Sequence, residues 1–308
     1  MDILIILTKK QRKQIHGWLR AVIQLLYFLF LPSAYTAAFA GVKYIFTQLG
    51  AGEKIGLTSF VSVLIVLCLY TIVFGRFFCG FACAFGSFGD AVHFCLCVDL
   101  QKNQEKASET AGNSDFKLSM VKYVVLAVIV LLCFKGVYSQ TQGYSPWDVF
   151  SMLHAFNFKL GGYLLGIVLL VLIMVGMALQ ERFFCRFLCP MGAVFSLLPM
   201  LPFFTLKRER EQCIKGCSAC TKQCPSDIGL PEVGTLDISG DCFQCQKCID
   251  TCPRANIHCG LQGIKGNEVG LTIVRALILL GLFYLAGNLK CNLKTELDCC
   301  GRQLYKKD

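Results

Sequence analysis

Residues 76–83 read RFFCGFAC, and residues 182–189 read RFFCRFLC. We call them the first and second repeat motifs. Each follows an apolar run long enough to cross a bilayer, over about 57–78 and 161–183. The recurrence predicts two related halves, each a membrane-spanning helix followed by a cysteine pair. Both motifs end helices that cross in the same direction, so we predict parallel rather than inverted repeats.

The composition is typical of a membrane protein. The 308 residues are 55% hydrophobic and 16% charged. Disorder is excluded because disordered chains lack apolar residues, and a soluble domain normally carries ~25% charged residues. Apolar runs at 18–40 and 120–140 bring the predicted spans to four. A run at 269–289, which contains Arg275, is the candidate fifth span, with an interfacial amphipathic helix as the alternative.

The net charge of +10 indicates membrane orientation rather than nucleic-acid binding, because the basic residues flank the apolar runs. Lys and Arg are concentrated near the N-terminus, around the 79–119 loop and over 182–268. We therefore predict that these segments are cytoplasmic and that the loops 41–56 and 141–160 face outward. The basic tail at 290–308 breaks this pattern if the fifth run spans the membrane.

The strongest chemical signal is Cys242-x2-Cys245-x2-Cys248-x3-Cys252-Pro, the bacterial ferredoxin motif. A near copy at 213–225 has one extra residue in its first spacing. In this motif three cysteines bind one cluster and the fourth binds the other. We predict two [4Fe–4S] clusters with these ligand sets: Cys213, Cys217, Cys220 and Cys252; and Cys242, Cys245, Cys248 and Cys224. Paired zinc sites are the alternative, but zinc requires neither the third close cysteine nor two Cys-Pro steps.

The repeat motifs predict a second cysteine site. Residues i and i+4 share one face of a helix, so the two sulfurs of each motif should point the same way. The four cysteines are Cys79, Cys83, Cys185 and Cys189. Together they suit a further cluster, a soft metal such as copper, or a pair of redox dithiols. Arg76 and Arg182 are expected to snorkel to the lipid headgroups; offsetting thiolate charge is the alternative.

Over roughly residues 18–260 the chain resembles the NapH, NosR and CcoG type of membrane polyferredoxin. The resemblance rests on two R-F-x-C-x3-C motifs followed by a two-cluster ferredoxin sequence. It implies a bacterial cytoplasmic-membrane protein that moves electrons between quinol or flavin and a redox partner, or that matures metalloenzymes. Pro usually follows each cysteine pair in this family. Pro190 keeps that pattern, whereas Ala84 replaces it, so the resemblance implies that the two motifs are not equivalent.

We therefore predict a mainly α-helical integral membrane protein with four or five spans and a small cytoplasmic α+β ferredoxin-like module. The regions are a transmembrane domain at 1–203, the ferredoxin module at 204–262, and a candidate fifth helix with its tail at 263–308. The predicted role is an electron-transfer subunit of an oxidoreductase complex, working between a cytoplasmic partner and a membrane or extracytoplasmic one. A flavoprotein, another redox subunit and quinol are the expected partners. A metalloenzyme maturation factor or copper reductase, and a redox-sensing regulator, are the alternatives.

Two smaller expectations concern aromatic and histidine residues. Trp147, in the predicted outer loop, is expected to be an interfacial anchor, with docking of a quinol or an external partner as the alternative. The four histidines are scattered outside the predicted spans, so a bis-histidine haem site is not predicted.

Overall fold

The computed structural model describes residues 9–31, 33–97, 118–138, 145–154, 162–260 and 268–292. The basic tail beyond residue 292 lies outside the described residues. The described chain is mainly α-helical, as predicted. Its helices are α1 Lys9–Phe30, α2 Ala34–Ala51, α3 Ser59–Phe74, α4 Ala84–Cys97, α5 Val121–Phe134, α6 Pro146–His154, α7 Leu164–Leu179, α8 Pro190–Leu197, α9 Ala219–Lys222, α10 Lys247–Thr251 and α11 Glu268–Asn292.

One described helix is long and apolar enough to cross a membrane by itself. It is the Glu268–Ala286 part of α11, with a mean hydropathy of 2.2. Helices α1 and α2 pass the same test only as a pair bent by 60°. The predicted run at 18–40 is therefore wrong as a single helix, and the sequence has Pro32, a helix breaker, at the bend. Helices α3, α5 and α7 are apolar but shorter, so the count of four or five spans stays a prediction.

The sequence repeat recurs in the backbone. Helix α3 leads into a π-helical turn, Phe78–Ala82, and then α4; helix α7 leads into Phe184–Leu188 and then α8. In each turn the last cysteine N–H donates to a carbonyl five residues earlier, at 2.9 Å in both motifs. The prediction of a continuing α-helix was wrong here. Single π turns of this kind are rare in proteins, and those that occur are often found at functional sites.

Helix α4, which follows the first turn, packs against α7 of the second half, and α8, which follows the second turn, packs against α5. The first cysteine pair therefore lies where the two halves meet.

The ferredoxin module has the predicted α+β structure. Strand β1 (Leu206–Arg208) pairs antiparallel with β2 (Ile257–Cys259), and α9 and α10 lie between them in sequence. Its small core consists of Leu206, Cys220, Leu230, Cys248, Ile249 and Ile257. A core of this size is marginal on its own, which is why cluster ligation or docking to the rest of the chain is needed to stabilise it.

Helix α1 connects this module to the first repeat motif through an inward polar stripe at a spacing of four residues. His16 Nδ1 lies 2.7 Å from Asp250 Oδ1, and Arg20 donates to the carbonyl of Cys245 at 3.4 Å. Gln24 donates to the backbone of the first repeat motif at 3.3 Å. The opposite face of α1 is apolar and exposed, at Trp18, Val22, Leu25 and Leu29. Its polar face therefore packs on protein, and its apolar face is exposed.

Close packing of α2 on α3 gives a direct test of the fold. A Cβ atom at Gly41 would lie 2.6 Å from the carbonyl oxygen of Phe60, whereas one at Gly281 on α11 would have no atom within 4 Å. We expect Gly41→Ala to destabilise the protein by about 1–3 kcal/mol through overpacking. Gly281→Ala, the matched control, should be neutral or slightly stabilising. Thermal unfolding in detergent measures both, and equal melting temperatures would contradict this packing.

Candidate iron–sulfur and cysteine centres

The structure brings the four repeat-motif cysteines together. All four are buried, and a Cβ atom at Gly86 would lie 3.7 Å from Cys83 Cβ and 3.8 Å from Cys185 Sγ. Burial raises the pKa of Cys185, and the nearby Cys189 and Cys83 raise it further. Thiols from both halves therefore share one region and repel one another as thiolates. Such a site is suited to a positive centre that all four can ligate.

Cys189 has the most specific surroundings of these four. Burial and the neighbouring Cys79 raise its pKa to about 11, although donors to its sulfur lower it. Gly192 N–H, at the start of α8, donates to Cys189 Sγ at 3.2 Å. The hydroxyl of Tyr35 lies 3.8 Å from the same sulfur. Sequence reasoning missed Tyr35, because its distance from Cys189 along the chain gives no local signal.

The two repeat-motif arginines are buried, each 1% exposed, so headgroup snorkelling was the wrong expectation. Arg182 donates to Asp90 at 2.6 and 3.0 Å and to the carbonyls of Cys79 and Gly80. Because these partners lie inside the protein, Arg182 has no reason to extend toward water.

Arg76 makes the reciprocal crossing to the second half. Its Nη1 contacts Ser196, the carbonyl of Gly240, and Asp241 at 3.4 Å. Its Nε and Nη2 have no hydrogen-bond partner among the described residues, and Nη2 would lie 3.0 Å from a Cβ at Gly192. A buried guanidinium with unused donors beside four thiols fits an anionic, thiolate-ligated group at this site.

Phe243 joins the ferredoxin module to the repeat motifs. It lies between Cys242 and Cys245 in sequence and is 3% exposed. The guanidinium carbons of Arg76 and Arg182 lie 4.9 and 5.7 Å from the centroid of its ring. A Cβ at Gly80 would lie 2.4 Å from the Phe243 carbonyl oxygen. The ferredoxin motif therefore packs directly on the first repeat motif.

One predicted ferredoxin ligand set is brought together. Cys224, Cys242, Cys245 and Cys248 line a single cavity, to which Cys220 of the other set also contributes. Burial raises the pKa of Cys242, the N–H of Gln244 lowers it, and the neighbouring Cys245 and Cys224 raise it, with a net value of about 12. Four converging thiols with a backbone N–H donor fit the ligand requirements of a [4Fe–4S] cluster.

The other predicted set is less closely associated. Cys220 is buried, Cys252 packs against the module core, and Cys217 is exposed. Arg208 donates to Cys220 Sγ at 3.5 Å, and the N–H of Asn256 donates to Cys252 Sγ at 3.4 Å. Within the described ranges, no group of three or more His, Cys, Asp or Glu is arranged to hold a single metal ion. The ligand assignment of this set rests on the motif spacing.

Trp147 is half-buried and packs beside the cysteine region. Its ring lies 5.3 Å from the ring of Phe39 and 6.3 Å from that of Phe184, centroid to centroid. Its role as an interfacial anchor stays a prediction.

Comparison with known proteins agrees with this site. A family model described as a 4Fe–4S binding domain matches residues 55–97 and 164–204, the segments that contain the repeat motifs. The chain is 30% identical to the uncharacterized protein MJ0749 of Methanocaldococcus jannaschii over 203 residues, 66% of this chain and 71% of that protein. It is 28% identical to MJ0750 of the same organism, over 74% of this chain and 88% of that protein. It is 26% identical to the ferredoxin-type protein NapH of Haemophilus influenzae, over 63% and 65%.

The chain belongs to the NapH/NosR family of ferredoxin-type membrane proteins. The predicted family and the [4Fe–4S] cofactor class are thereby confirmed. In this ferredoxin-type membrane protein, the matched 4Fe–4S model covers the repeat motifs and not the ferredoxin module. No solved structure matches the chain significantly.

The Asp90–Arg182 pair gives a test of the site's electrostatics. Burial raises the pKa of the Asp90 carboxyl, but the Arg182 guanidinium outweighs this and holds the pKa below its usual value. We expect Asp90→Ala to destabilise the protein by ~3–5 kcal/mol at neutral pH, because it leaves a buried charge without its ion-pair partner. This advantage of the wild type should decline as the pH falls below ~4, where the carboxyl of the unfolded chain takes up a proton, and should be lost once the pH falls through the lowered pKa of Asp90 in the folded protein.

Arg210→Gln supplies the control for that measurement. Arg210 forms an ion pair with Glu232 whose side chains are 64% and 50% exposed. Exposed pairs contribute about 0–1 kcal/mol, so this variant should unfold close to the wild type. Thermal unfolding measures the loss of stability in both variants. Equal losses would show that burial of the Asp90–Arg182 ion pair is not what stabilises the site.

Proposed function

We propose that this protein is a multi-pass membrane protein that passes electrons between a cytoplasmic redox partner and a partner in or beyond the membrane. The observation that carries the proposal is the direct packing of the ferredoxin motif on both repeat-motif arginines through Phe243. Bound [4Fe–4S] clusters would supply one-electron redox chemistry. The chain's own residues hold them, set their spacing and balance their charge.

In this proposal the ferredoxin module holds two clusters through the two predicted ligand sets. The set that includes Cys242 and Cys245 is the one nearest the repeat motifs. Its support is the cavity that its four thiols line. The set that includes Cys213 and Cys252 is supported by the ferredoxin spacing, and it lies toward the surface, where Cys217 is exposed. That order gives a cytoplasmic partner access to the outer set first.

The four repeat-motif cysteines hold a third [4Fe–4S] cluster in this proposal. The match of the 4Fe–4S family model to both motifs favours a cluster over copper or a dithiol pair. Four thiolates leave a cubane with net negative charge, which costs free energy in a buried site unless cations lie close by. Arg76 and Arg182 supply that charge, because they interact with Cys79 and Cys185 respectively.

The same two arginines interact with the inner ferredoxin set. Arg76 acts on Cys242, and Arg182 on Cys245. One layer of side chains, made of the two guanidinium groups and the Phe243 ring, therefore separates the two cysteine sets. Such close, fixed spacing is what an electron-transfer protein must supply for its cofactors.

Multi-pass insertion is supported by the faces of the short apolar helices. Helices α3, α5 and α7 are ~24, ~21 and ~24 Å long at 1.5 Å per residue, against a hydrocarbon thickness of ~30 Å. Large apolar side chains are exposed on each of them, such as Leu69, Leu131 and Leu172. Together with the distribution of Lys and Arg, this supports a cytoplasmic N-terminus and ferredoxin module.

In this proposal the protein has three functional units. They are the transmembrane domain at 1–203, the ferredoxin module at 204–262, and the candidate fifth helix with its tail at 263–308. The expected partners are a flavoprotein or other redox subunit on the cytoplasmic side, and quinol or an extracytoplasmic protein on the other. YccM of Escherichia coli, 26% identical over 55% of this chain and 49% of that protein, is described as a putative electron transport protein.

Metal analysis of the anaerobically purified protein tests the proposal. We expect about twelve irons and matching sulfide per chain, as three cubanes require. Cys185→Ser should remove about four irons and leave the reduced EPR signals of the ferredoxin module intact. Cys245→Ser should instead alter those signals. Cys68→Ser, in a partly buried thiol packed against the apolar core, is the control and should change neither.

The alternatives give different results in the same measurement. Zinc in place of iron would refute the proposal. About eight irons, with bound copper that Cys185→Ser removes, would instead support a copper reductase or maturation factor.

A further inference from the structure

Arg275 is a buried charge within the helix that best fits a membrane span. It lies on α11 and is 1% exposed. An ionisable residue inside a spanning helix faces the protein interior, and its partner indicates its function. The hydroxyl of Tyr70, near the end of α3, donates to the Arg275 carbonyl at 3.0 Å, which fixes α11 against the first half of the repeat.

The guanidinium of Arg275 points into the ferredoxin module. Its Nη1 donates to Gln244 Oε1 at 3.0 Å. Its Nη2 donates to the carbonyl of Phe204 at 3.2 Å and to Cys259 Sγ. These contacts use the forked geometry of arginine, which a single ammonium group does not reproduce. Among them, only Gln244 lies inside the ferredoxin motif.

Gln244 lies between Cys242 and Cys245 and is 2% exposed. Its φ is +51°, in the left-handed region that is unfavourable for a residue with a side chain. In this conformation its N–H donates to Cys242 Sγ, with N and S 3.4 Å apart. The side chain fits only because residue 75 is glycine: a Cβ there would lie 2.0 Å from Gln244 Nε2. The contacts that fix the Gln244 side chain therefore also hold its backbone N–H toward Cys242 Sγ.

We propose that Arg275 is a positioning residue that raises the reduction potential of the cluster held by the set of Cys242 and Cys245, by anchoring Gln244 so that its N–H donates to Cys242 Sγ. The proposal rests on the function argued above. Hydrogen bonds to cluster sulfurs are among the factors that set the potential, because they stabilise the more negative reduced state. The spanning helix α11 thus helps to set the reduction potential of a cluster in the ferredoxin module.

Redox titration followed by EPR tests this, with Arg275→Gln, Gln244→Leu and the double variant. Each single variant should shift the midpoint potential of one cluster to more negative values and leave the other clusters unchanged. If Arg275 acts through Gln244, the double variant should shift no further than Gln244→Leu alone. Arg210→Gln removes the same charge from an exposed position and should shift nothing.

The outcomes separate this inference from the proposed function. Unchanged potentials in iron-replete Arg275→Gln protein would overturn it. Additive shifts in the double variant would also overturn it, because they would mean that the charge of Arg275 acts on the cluster directly. Wild-type protein without iron would instead refute the proposed function. If Arg275→Gln does not retain iron, Arg275→Lys keeps the charge; a wild-type potential in that variant would overturn the positioning role.

Discussion

The reciprocal crossing of two buried arginines is the interaction on which the rest of this structure depends. Arg76 starts the first repeat motif and reaches Ser196 in the second half, whereas Arg182 starts the second motif and reaches Asp90 in the first. A charge removed from water must find partners nearby or the fold loses stability. The first half therefore supplies Arg182 with a carboxylate, whereas Arg76 receives a hydroxyl from the second half and a carboxylate, Asp241, from the ferredoxin module.

The same constraint fixes the ferredoxin module. Phe243 presents its ring to both guanidinium groups, and Asp241, two residues earlier, accepts from Arg76 and Lys122. Moving the module would expose the aromatic ring and take from Arg76 the one carboxylate that pairs with it in the part of the chain that the structure describes. The position of the module next to the repeat motifs thus follows from charge burial as much as from apolar contact.

Features of this arrangement that depend on neighbouring residues can be predicted from the sequence, whereas contacts between residues far apart in the chain cannot. The cysteine spacings and the repeated RFFC are local, and from them the iron–sulfur class, the mainly helical structure and the internal repeat were predicted correctly. The burial of Arg182 was not predicted, because its carboxylate partner, Asp90, lies on a different structural element. Nothing in the sequence around either residue indicates that they pair. The π turn was also missed, since a C-x3-C pair is read by default as an i, i+4 pair on an α-helix. The residues of the polar stripe on α1, His16, Arg20 and Gln24, are four apart, which is a helical spacing visible in the sequence. The apolar residues around them led instead to the prediction of a membrane span.

The replacement of the expected proline by Ala84 illustrates the limit of reasoning from motif symmetry. The backbone is the same in both motifs, because Pro190 occupies the first position of α8, where its missing N–H costs nothing and Ala serves equally well. The difference lies in the electrostatic surroundings. Arg182 has Asp90 as a close carboxylate partner, whereas Arg76 shares Asp241 with Lys122, and its Nε and Nη2 have no hydrogen-bond partner within the described ranges. Tyr35 and the N–H of Gly192 both approach Cys189. Two halves with one backbone thus present unequal electrostatic surroundings to the cysteines between them.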